Sequence, residues 1–321
     1  MSQSRPTRST EPACDVSVLV ITYNHERYIG AALESVLAQS THRDLQILVS
    51  EDRSTDGTLG VVESYARRDS RIRILRSDRN LRSNEVVARA IRAARGRYVC
   101  MLDGDDYWLG ASRLEEQADR LDRDADVSAI FHNALVVDGG GAMSDRFWTP
   151  PDQAALTPLQ QLWEGNPFAT CAGMMRREAL RSVGDWYHGF FPITDWPLYI
   201  LCAMSAPIAF EHRVAGAYRL HGGGLFSALP GTTKLDQVEG FYRRMRRLPL
   251  GRPAHLVRAG RTRYFFDWAA EYAQQGDVRL ARDCFLRAVR AGGLGRDVPV
   301  RRSLSVARRV WLSGGSKVRD R

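Results

Sequence analysis

The first hundred residues alternate between short apolar runs and segments whose apolar positions recur every three or four residues. Val16–Thr22 is a continuous apolar run of the kind that forms a strand buried on both faces. Residues 28–39 carry Ile29, Ala32, Leu33, Val36 and Leu37 at helical spacing. Residues 45–49 read as a second strand and 58–67 as a second helix, with Ser54, Thr55 or Asp56 available to cap it. A strand over 72–75, a helix over 85–94 stopped by Gly96, and a strand over 98–102 complete the series. The repeat of roughly thirty residues is the βαβ rhythm of a parallel sheet.

After this the pattern loosens. A helix is expected over Arg113–Arg123 and a strand over 127–137, while Gly139-Gly140-Gly141 and Pro150-Pro151 mark turns or a mobile loop. A helix near 156–163, a strand near 170–175 and a short helix near 178–183 lead to an aromatic stretch, 186–196. Residues 197–210 read as a buried helix followed by a strand, too short to cross a bilayer. A strand over 214–220 runs into His221-Gly222-Gly223-Gly224. From Leu235 the chain is helical and basic. Tyr272, Gly276, Ala281, Phe285 and Ala288 are spaced as in a tetratricopeptide hairpin. A single such unit cannot bury its own face, so it is expected to pack on the preceding domain or on another subunit. The chain thus divides into a flexible arm (1–14), an α/β domain (15–230) and a basic helical extension (231–321).

Composition adds little to the fold and more to the setting. Over 321 residues, 44% apolar and 26% charged residues are ordinary globular values. The first dozen residues are polar, which reads as an arm and not a secretory signal. Five scattered cysteines without Cys-x-x-Cys spacing suggest neither a disulfide framework nor a zinc site and fit a reducing cytoplasm. The net charge of +9 is almost all arginine, Lys234 and Lys317 being the only lysines. Much of it lies late in the chain, where it reads either as a solvated helical face or as a contact for anionic lipid head groups or a phosphorylated carrier. No nucleic-acid-binding module accompanies it, and no nucleic-acid partner is expected.

Three polar clusters stand at the carboxyl ends of predicted strands: Thr22-Tyr23-Asn24, Ser50-Glu51-Asp52 and Asp103-Gly104-Asp105-Asp106. In an open parallel sheet these ends line the ligand crevice. Asp103-x-Asp105 can act as an acidic turn before the next helix, or as an oxygen clamp for Mg²⁺ or Mn²⁺ completed by a diphosphate.

The sequence from Val16 to Ser227 resembles the family-two glycosyltransferases of the GT-A fold. The resemblance is carried by Val-Ile-Thr-Tyr-Asn (20–24), Ala-Leu-Glu-Ser-Val-Leu-Ala-Gln (32–39), Ser-Glu-Asp-Arg-Ser-Thr-Asp-Gly-Thr (50–58), Gly-Arg-Tyr-Val (96–99), Leu-Asp-Gly-Asp-Asp-Tyr-Trp (102–108), Asp195-Trp196 and Tyr-Arg-Leu-His (218–221). It implies a Rossmann-like, mostly parallel sheet flanked by helices, with a helical C-terminal extension. It further implies an inverting, metal-dependent transfer of a sugar from a nucleoside-diphosphate donor, UDP by default, to an acceptor hydroxyl. By this resemblance Thr22, Tyr23 and Asp52 line the nucleoside pocket, Asp52 facing the base, with Glu51 beside it in the donor-binding set. Asp103 contacts ribose or metal, Asp105 is the principal ligand for Mn²⁺ or Mg²⁺, and His221 completes the metal or diphosphate site. Asp195 matches the catalytic base, and its position also suits the N-cap of the following helix.

The acceptor implied is a saccharide, a lipid-linked saccharide or a small molecule, in cell-surface glycan synthesis on the cytoplasmic side. The sequence departs from the family where Ile21 replaces Pro, Glu51 replaces Asp, Thr194 replaces Glu, and Asn80-Leu81-Arg82 replaces Asn-x-Gly. His25 is expected on a surface loop and His132 in the core, while Trp108, Trp186 and Trp196 are expected to flank the crevice and stack on sugar faces. A catalytically inactive scaffold of a glycan-assembly complex is the alternative. A nucleotidyltransferase is disfavoured because residues 22–26 contain no glycine cluster.

Overall fold

The computed structural model describes residues 14–248, 254–292 and 295–312. The expected N-terminal arm falls almost wholly outside the described residues, as does Lys317. Strand and helix alternate as expected through β1 (Val16–Thr22), α1 (Ile29–Leu37), β2 (Leu45–Glu51), α2 (Thr58–Arg68), β3 (Ile72–Arg76), α3 (Glu85–Ala93) and β4 (Tyr98–Asp103). These four strands lie parallel in the order β3-β2-β1-β4. Their apolar runs are continuous because both faces are buried. In β4, Val99 and Met101 enter the core on one side of the sheet, and Tyr98, Cys100 and Leu102 enter the core on the other.

The chain then adds β5 (Tyr107–Trp108), α4 (Arg113–Arg123), β6 (Ala129–Asp138), β7 (Met143–Phe147), β8 (Leu156–Thr157), α5 (Leu159–Glu164), β9 (Gly173–Arg176), α6 (Trp196–Ser205) and β10 (Ile208–Leu220). The sheet continues β4-β9-β6-β10-β5, with β7 on β6 and β8 on β10. The expected parallel pairing returns in β6–β10, but β9 is inserted antiparallel to both β4 and β6, so the whole sheet is mixed.

Local differences from the sequence reading have simple causes. The segment read as a turn or mobile loop after Gly141 contains β7, whose five residues are all exposed and so show no buried face. Two residues of the helix expected over 156–163 pair instead with β10 as β8. The strand expected over 170–175 begins as a 3₁₀ turn, Thr170–Ala172, and the helix expected over 178–183 is a 3₁₀ turn, Arg177–Leu180. The two strands expected around Phe210 and Val214 are one thirteen-residue strand. Polar Glu211-His212-Arg213 fall at an irregularity in register, where a bulge and not a turn absorbs them.

Helices α7 (Gly231–Met245), α8 (Ala254–Gln274), α9 (Val278–Arg290) and α10 (Val300–Leu312) follow. They do not build a core of their own. Phe241, Tyr242, Phe265 and Phe266 join the same apolar cluster as Trp163, Trp196 and Tyr199. Trp196 stacks on Phe241 with ring centres 4.2 Å apart, and Tyr242 Oη donates to the Trp163 carbonyl at 2.6 Å. Gly260 lets α8 close on α5, since a Cβ there would lie 2.3 Å from the Trp163 carbonyl oxygen. The tetratricopeptide-like hairpin, α8–α9, therefore packs on the α/β domain.

Candidate active site

The sheet register brings three polar clusters to one level. Thr22 pairs with Glu51, and Ile21 pairs with Asp103. The loop after β1 is laced to the loop after β2. Asn24 N–H donates to Ser54 Oγ at 3.0 Å, Thr55 N–H to Asn24 Oδ1 at 2.8 Å, and His25 N–H to Thr58 Oγ1 at 2.8 Å. Asn24 and Arg53 take positive φ angles of 55° and 61° to make these turns. The loops form one wall, on which Thr22 is buried and Tyr23 stands exposed.

Asp52 lies at the base of this wall. Its carboxylate accepts from Ser77 Oγ at 2.7 Å and from Leu81 N–H at 3.1 Å. Arg89 on α3 donates to Ser77 Oγ, Ser50 Oγ and the Glu51 carbonyl at 2.7, 2.8 and 2.9 Å. Asp52 is thus held through Ser77 by an arginine that no sequence motif marks; only helical amphipathicity points to α3. The same contacts run through the loop carrying Asn80 and Leu81, which departs from the family pattern. Glu51, expected in the donor-binding set, lies under the loop after β2. Its side chain is fully buried; Oε1 accepts from Ser54 N–H at 2.5 Å and supports the loop from beneath, while Oε2 has no hydrogen-bond partner among the described residues.

At the end of β4, Gly104 passes so close to Thr22 and His25 that a Cβ would lie 2.7 Å from Thr22 Oγ1. Asp106 is buried and structural: its Oδ1 accepts from Arg219 N–H at 2.7 Å, pinning this turn to β10. Arg219 Nε also donates to the Asp105 carbonyl at 2.8 Å. The pinning delivers His221, whose Nε2 lies 2.9 Å from Asp105 Oδ2. His25, expected on a surface loop, has Nε2 3.7 Å from the same oxygen. Its approach depends on the lacing of two loops, which no local pattern reveals. Burial is the leading influence on His25 and lowers its pKa.

Asp195 caps α6, accepting from Trp196 N–H at 2.7 Å through Oδ1 and from Asn166 Nδ2 at 2.8 Å through Oδ2. Asn166 is itself oriented by Phe168 N–H, which donates to its Oδ1 at 3.0 Å. The preceding segment is anchored by Asn84, whose Nδ2 donates to the carbonyls of Tyr187 and Ile193. Burial raises the pKa of Asp195. Burial, and then the charges of Asp105 and Asp195, raise Asp103 to about 8. Asp103 thus lies within reach of the charges of both Asp105 and Asp195.

Two of the three tryptophans expected to flank the crevice lie in the core. Trp108 and Trp196 are buried, the first under Arg113 at 4.1 Å and the second against Phe241. Trp186 is half-buried, its indole donating to the Ser182 carbonyl. His132 lies in the core as expected.

A mixed open sheet between helices, with acidic strand ends beside a laced loop wall, places a ligand crevice at the carboxyl ends of the strands. The chain matches the model of glycosyl transferase family 2 over residues 17–184 and belongs to that family. It is 30% identical over 227 residues to an uncharacterized protein of Mycobacterium tuberculosis, an alignment covering 70% of this chain and 64% of that protein. It is 29% identical over 188 residues to an uncharacterized glycosyltransferase of Methanocaldococcus jannaschii, covering 58% of this chain and 64% of the relative. The matches thus span a little under two thirds of these curated relatives. Among solved structures, S. aureus TarS in complex with UDP-GlcNAc superposes with a TM-score of 0.64 at 19% identity, covering 95% of this chain and 93% of that one. A mannosyltransferase from Pyrobaculum calidifontis in complex with GDP-Man and Mn²⁺ gives 0.57 at 18% identity, covering 94% and 81%. At these identities the likeness speaks to the fold.

Proposed function

We propose that this protein is an inverting glycosyltransferase that moves a sugar from a nucleoside-diphosphate donor, UDP-linked by first expectation, to an acceptor hydroxyl in cell-surface glycan synthesis. The reading rests on Asp195: a partly buried carboxylate, oriented by Asn166 and a helix cap, whose charge is felt at Asp103. The setting draws support from relatives such as Bacillus subtilis TuaG, named as a candidate teichuronic acid biosynthesis glycosyltransferase and 36% identical over 127 residues.

The residues fit a divalent cation. Asp105 and His221 offer one carboxylate and one imidazole 2.9 Å apart, and Asp103 nearby is raised by burial and then by the charges of Asp105 and Asp195, a raise that a cation would relieve. Carboxylate oxygens suit Mg²⁺ or Mn²⁺, and the imidazole favours Mn²⁺. Among the described residues no group of three or more His, Cys, Asp or Glu side chains is placed to hold a metal ion, so a cation here would need diphosphate and water to complete its shell. A bound cation supplies neutralisation of the charge that grows on the departing diphosphate.

The protein's own part is positioning and proton transfer. Thr22, Tyr23 and Asp52 hold the nucleoside, with Arg89 and Ser77 fixing Asp52. The acceptor enters by a groove of about 390 Å³ lined by Gln153, Gln161, Glu164, Asp267 and Asn166. Asp195 takes the proton of the acceptor hydroxyl as that oxygen bonds to the anomeric carbon and the carbon–oxygen bond to the diphosphate breaks. One displacement inverts the anomeric centre. A carboxylate raised by burial is the stronger base for this step.

The first test is thermal unfolding with UDP, GDP, dTDP or CDP, each with Mn²⁺, Mg²⁺ or EDTA, on the wild type and Asp105→Ala. A ligand at 100 times its Kd stabilises by about 2.7 kcal/mol. One nucleotide should raise Tm only with metal, and Asp105→Ala should abolish the rise. If no nucleotide shifts Tm under any condition, the inactive-scaffold reading replaces this one.

A further inference from the structure

Helix α10 has the sequence VRRSLSVARRVWL, without an acidic residue. Ser303, Val306 and Val310 face the body and are buried. Val300, Leu304 and Trp311, spaced four and seven residues apart, fall on one adjoining face and are 58%, 65% and 42% exposed. Helix α9 runs beside it: Phe285 meets Trp311 with ring centres 5.2 Å apart, and Arg282 Nε donates to the Val310 carbonyl at 3.3 Å. From α9, Leu286 and Val289 are also exposed. Three exposed apolar side chains thus line one face of α10, and two more stand exposed on the neighbouring α9.

Arginines border the patch. Arg301 and Arg308 lie along one side of the α10 stripe, and Arg290 follows Val289 on α9; all three are exposed. None of them has a carboxylate partner among the described residues. An apolar stripe with flanking cations, on a helix that carries no carboxylate, is selective in what it can face. A second copy of the same face would oppose arginine to arginine with nothing on α10 to neutralise them. An anionic bilayer presents the complement: phosphates for the guanidinium groups and an acyl boundary for the apolar side chains.

We infer that the α9–α10 face docks on an anionic membrane surface, with Val300, Leu304 and Trp311 entering the head-group boundary. The helix lies along the bilayer and does not cross it; among the described residues no helix is long and apolar enough to span. This inference is independent of the catalytic reading, because it uses no residue of the candidate active site.

The experiment is co-sedimentation of the full chain with vesicles of phosphatidylcholine alone or mixed with one-third phosphatidylglycerol. Wild type, Leu304→Asp, Trp311→Ala and the double variant Arg301→Ser/Arg308→Ser are compared, each first matched to the wild type in Tm. All four positions are exposed, so the fold should persist. The wild type should bind the mixed vesicles at least about tenfold more than the neutral ones, with binding reduced by salt. The Leu304, Trp311 and double-arginine variants should each lose most of it. Absence of binding to the mixed vesicles overturns the inference. So does unchanged binding by Leu304→Asp and Trp311→Ala, which would mean adsorption by charge alone. A dimer in sedimentation velocity that Leu304→Asp dissolves, without vesicle binding, would assign the face to a second copy instead.

Discussion

Asp195→Asn isolates the proposed proton transfer with little change in shape. The amide can keep its oxygen toward Trp196 N–H, preserving the cap on α6. The change falls on the other atom. Oδ2 accepts from Asn166 Nδ2 at 2.8 Å, and Asn166 cannot simply turn over because its own Oδ1 holds Phe168 N–H. The variant therefore sets two donors against each other and loses a hydrogen bond to a charged group, worth about 1.5–3 kcal/mol of stability. Catalysis should suffer more. General-base assistance contributes roughly 10²–10⁴-fold, about 2.7–5.4 kcal/mol of barrier. Binding of the nucleotide should be unchanged, since its proposed contacts, Thr22, Tyr23 and Asp52, lie on other elements. The assay is release of nucleoside diphosphate from the donor identified by thermal shift, with Kd measured in parallel by calorimetry. Turnover within threefold of the wild type would falsify the assignment of Asp195 as base. Equal loss of turnover and of nucleotide affinity would point to disruption of the site at large.

Arg89→Met should weaken nucleotide binding about tenfold, near 1.4 kcal/mol, by releasing Asp52 through Ser77, and Ser77→Ala should reproduce the loss; a Kd within twofold of the wild type in both refutes that role. Gly260→Ala should cost about 3 kcal/mol in a urea titration, because the new Cβ meets the Trp163 carbonyl at 2.3 Å and neither backbone can yield cheaply; a change under a few tenths would show that α8 is not held there. Burial holds His132 down to about 3, with lesser help from Arg113 and Arg213, while the half-exposed Glu211 carboxylate 3.5 Å away opposes that shift only weakly. The unfolded chain binds the proton first, so this stability is whole above about pH 6.5 and is lost as pH falls toward 3, by up to about 1.4 kcal/mol per unit; His132→Gln should flatten that slope, and identical slopes refute it.

Much of the first half was legible in the amino-acid sequence because each element there is dictated locally. A strand buried on both faces must be apolar throughout, as Val16–Thr22 is, and a helix lying on it must repeat every three or four residues, as Ile29–Leu37 does. The polar clusters that interrupt those runs could only stand at strand ends, so Asp52, Asp103 and Asp105 were visible before any packing was known. Asp195 was visible through a neighbouring tryptophan and proline that also mark a helix start.

What tertiary structure alone decided are contacts between residues far apart in the chain. Asp105 meets His221 across 116 positions, and Asn166 meets Asp195 across 29. His25 reaches Asp105, and Arg89 reaches Asp52 through Ser77, only because neighbouring strands bring their loops to one level. Trp108 and Trp196 look in sequence like crevice aromatics, yet an indole is so largely apolar that an available core takes it. The exposed strand β7 had no local signature, and the spacing of Tyr272 to Ala288 showed only that α8–α9 needs a partner surface; which surface it takes depends on the sheet having formed.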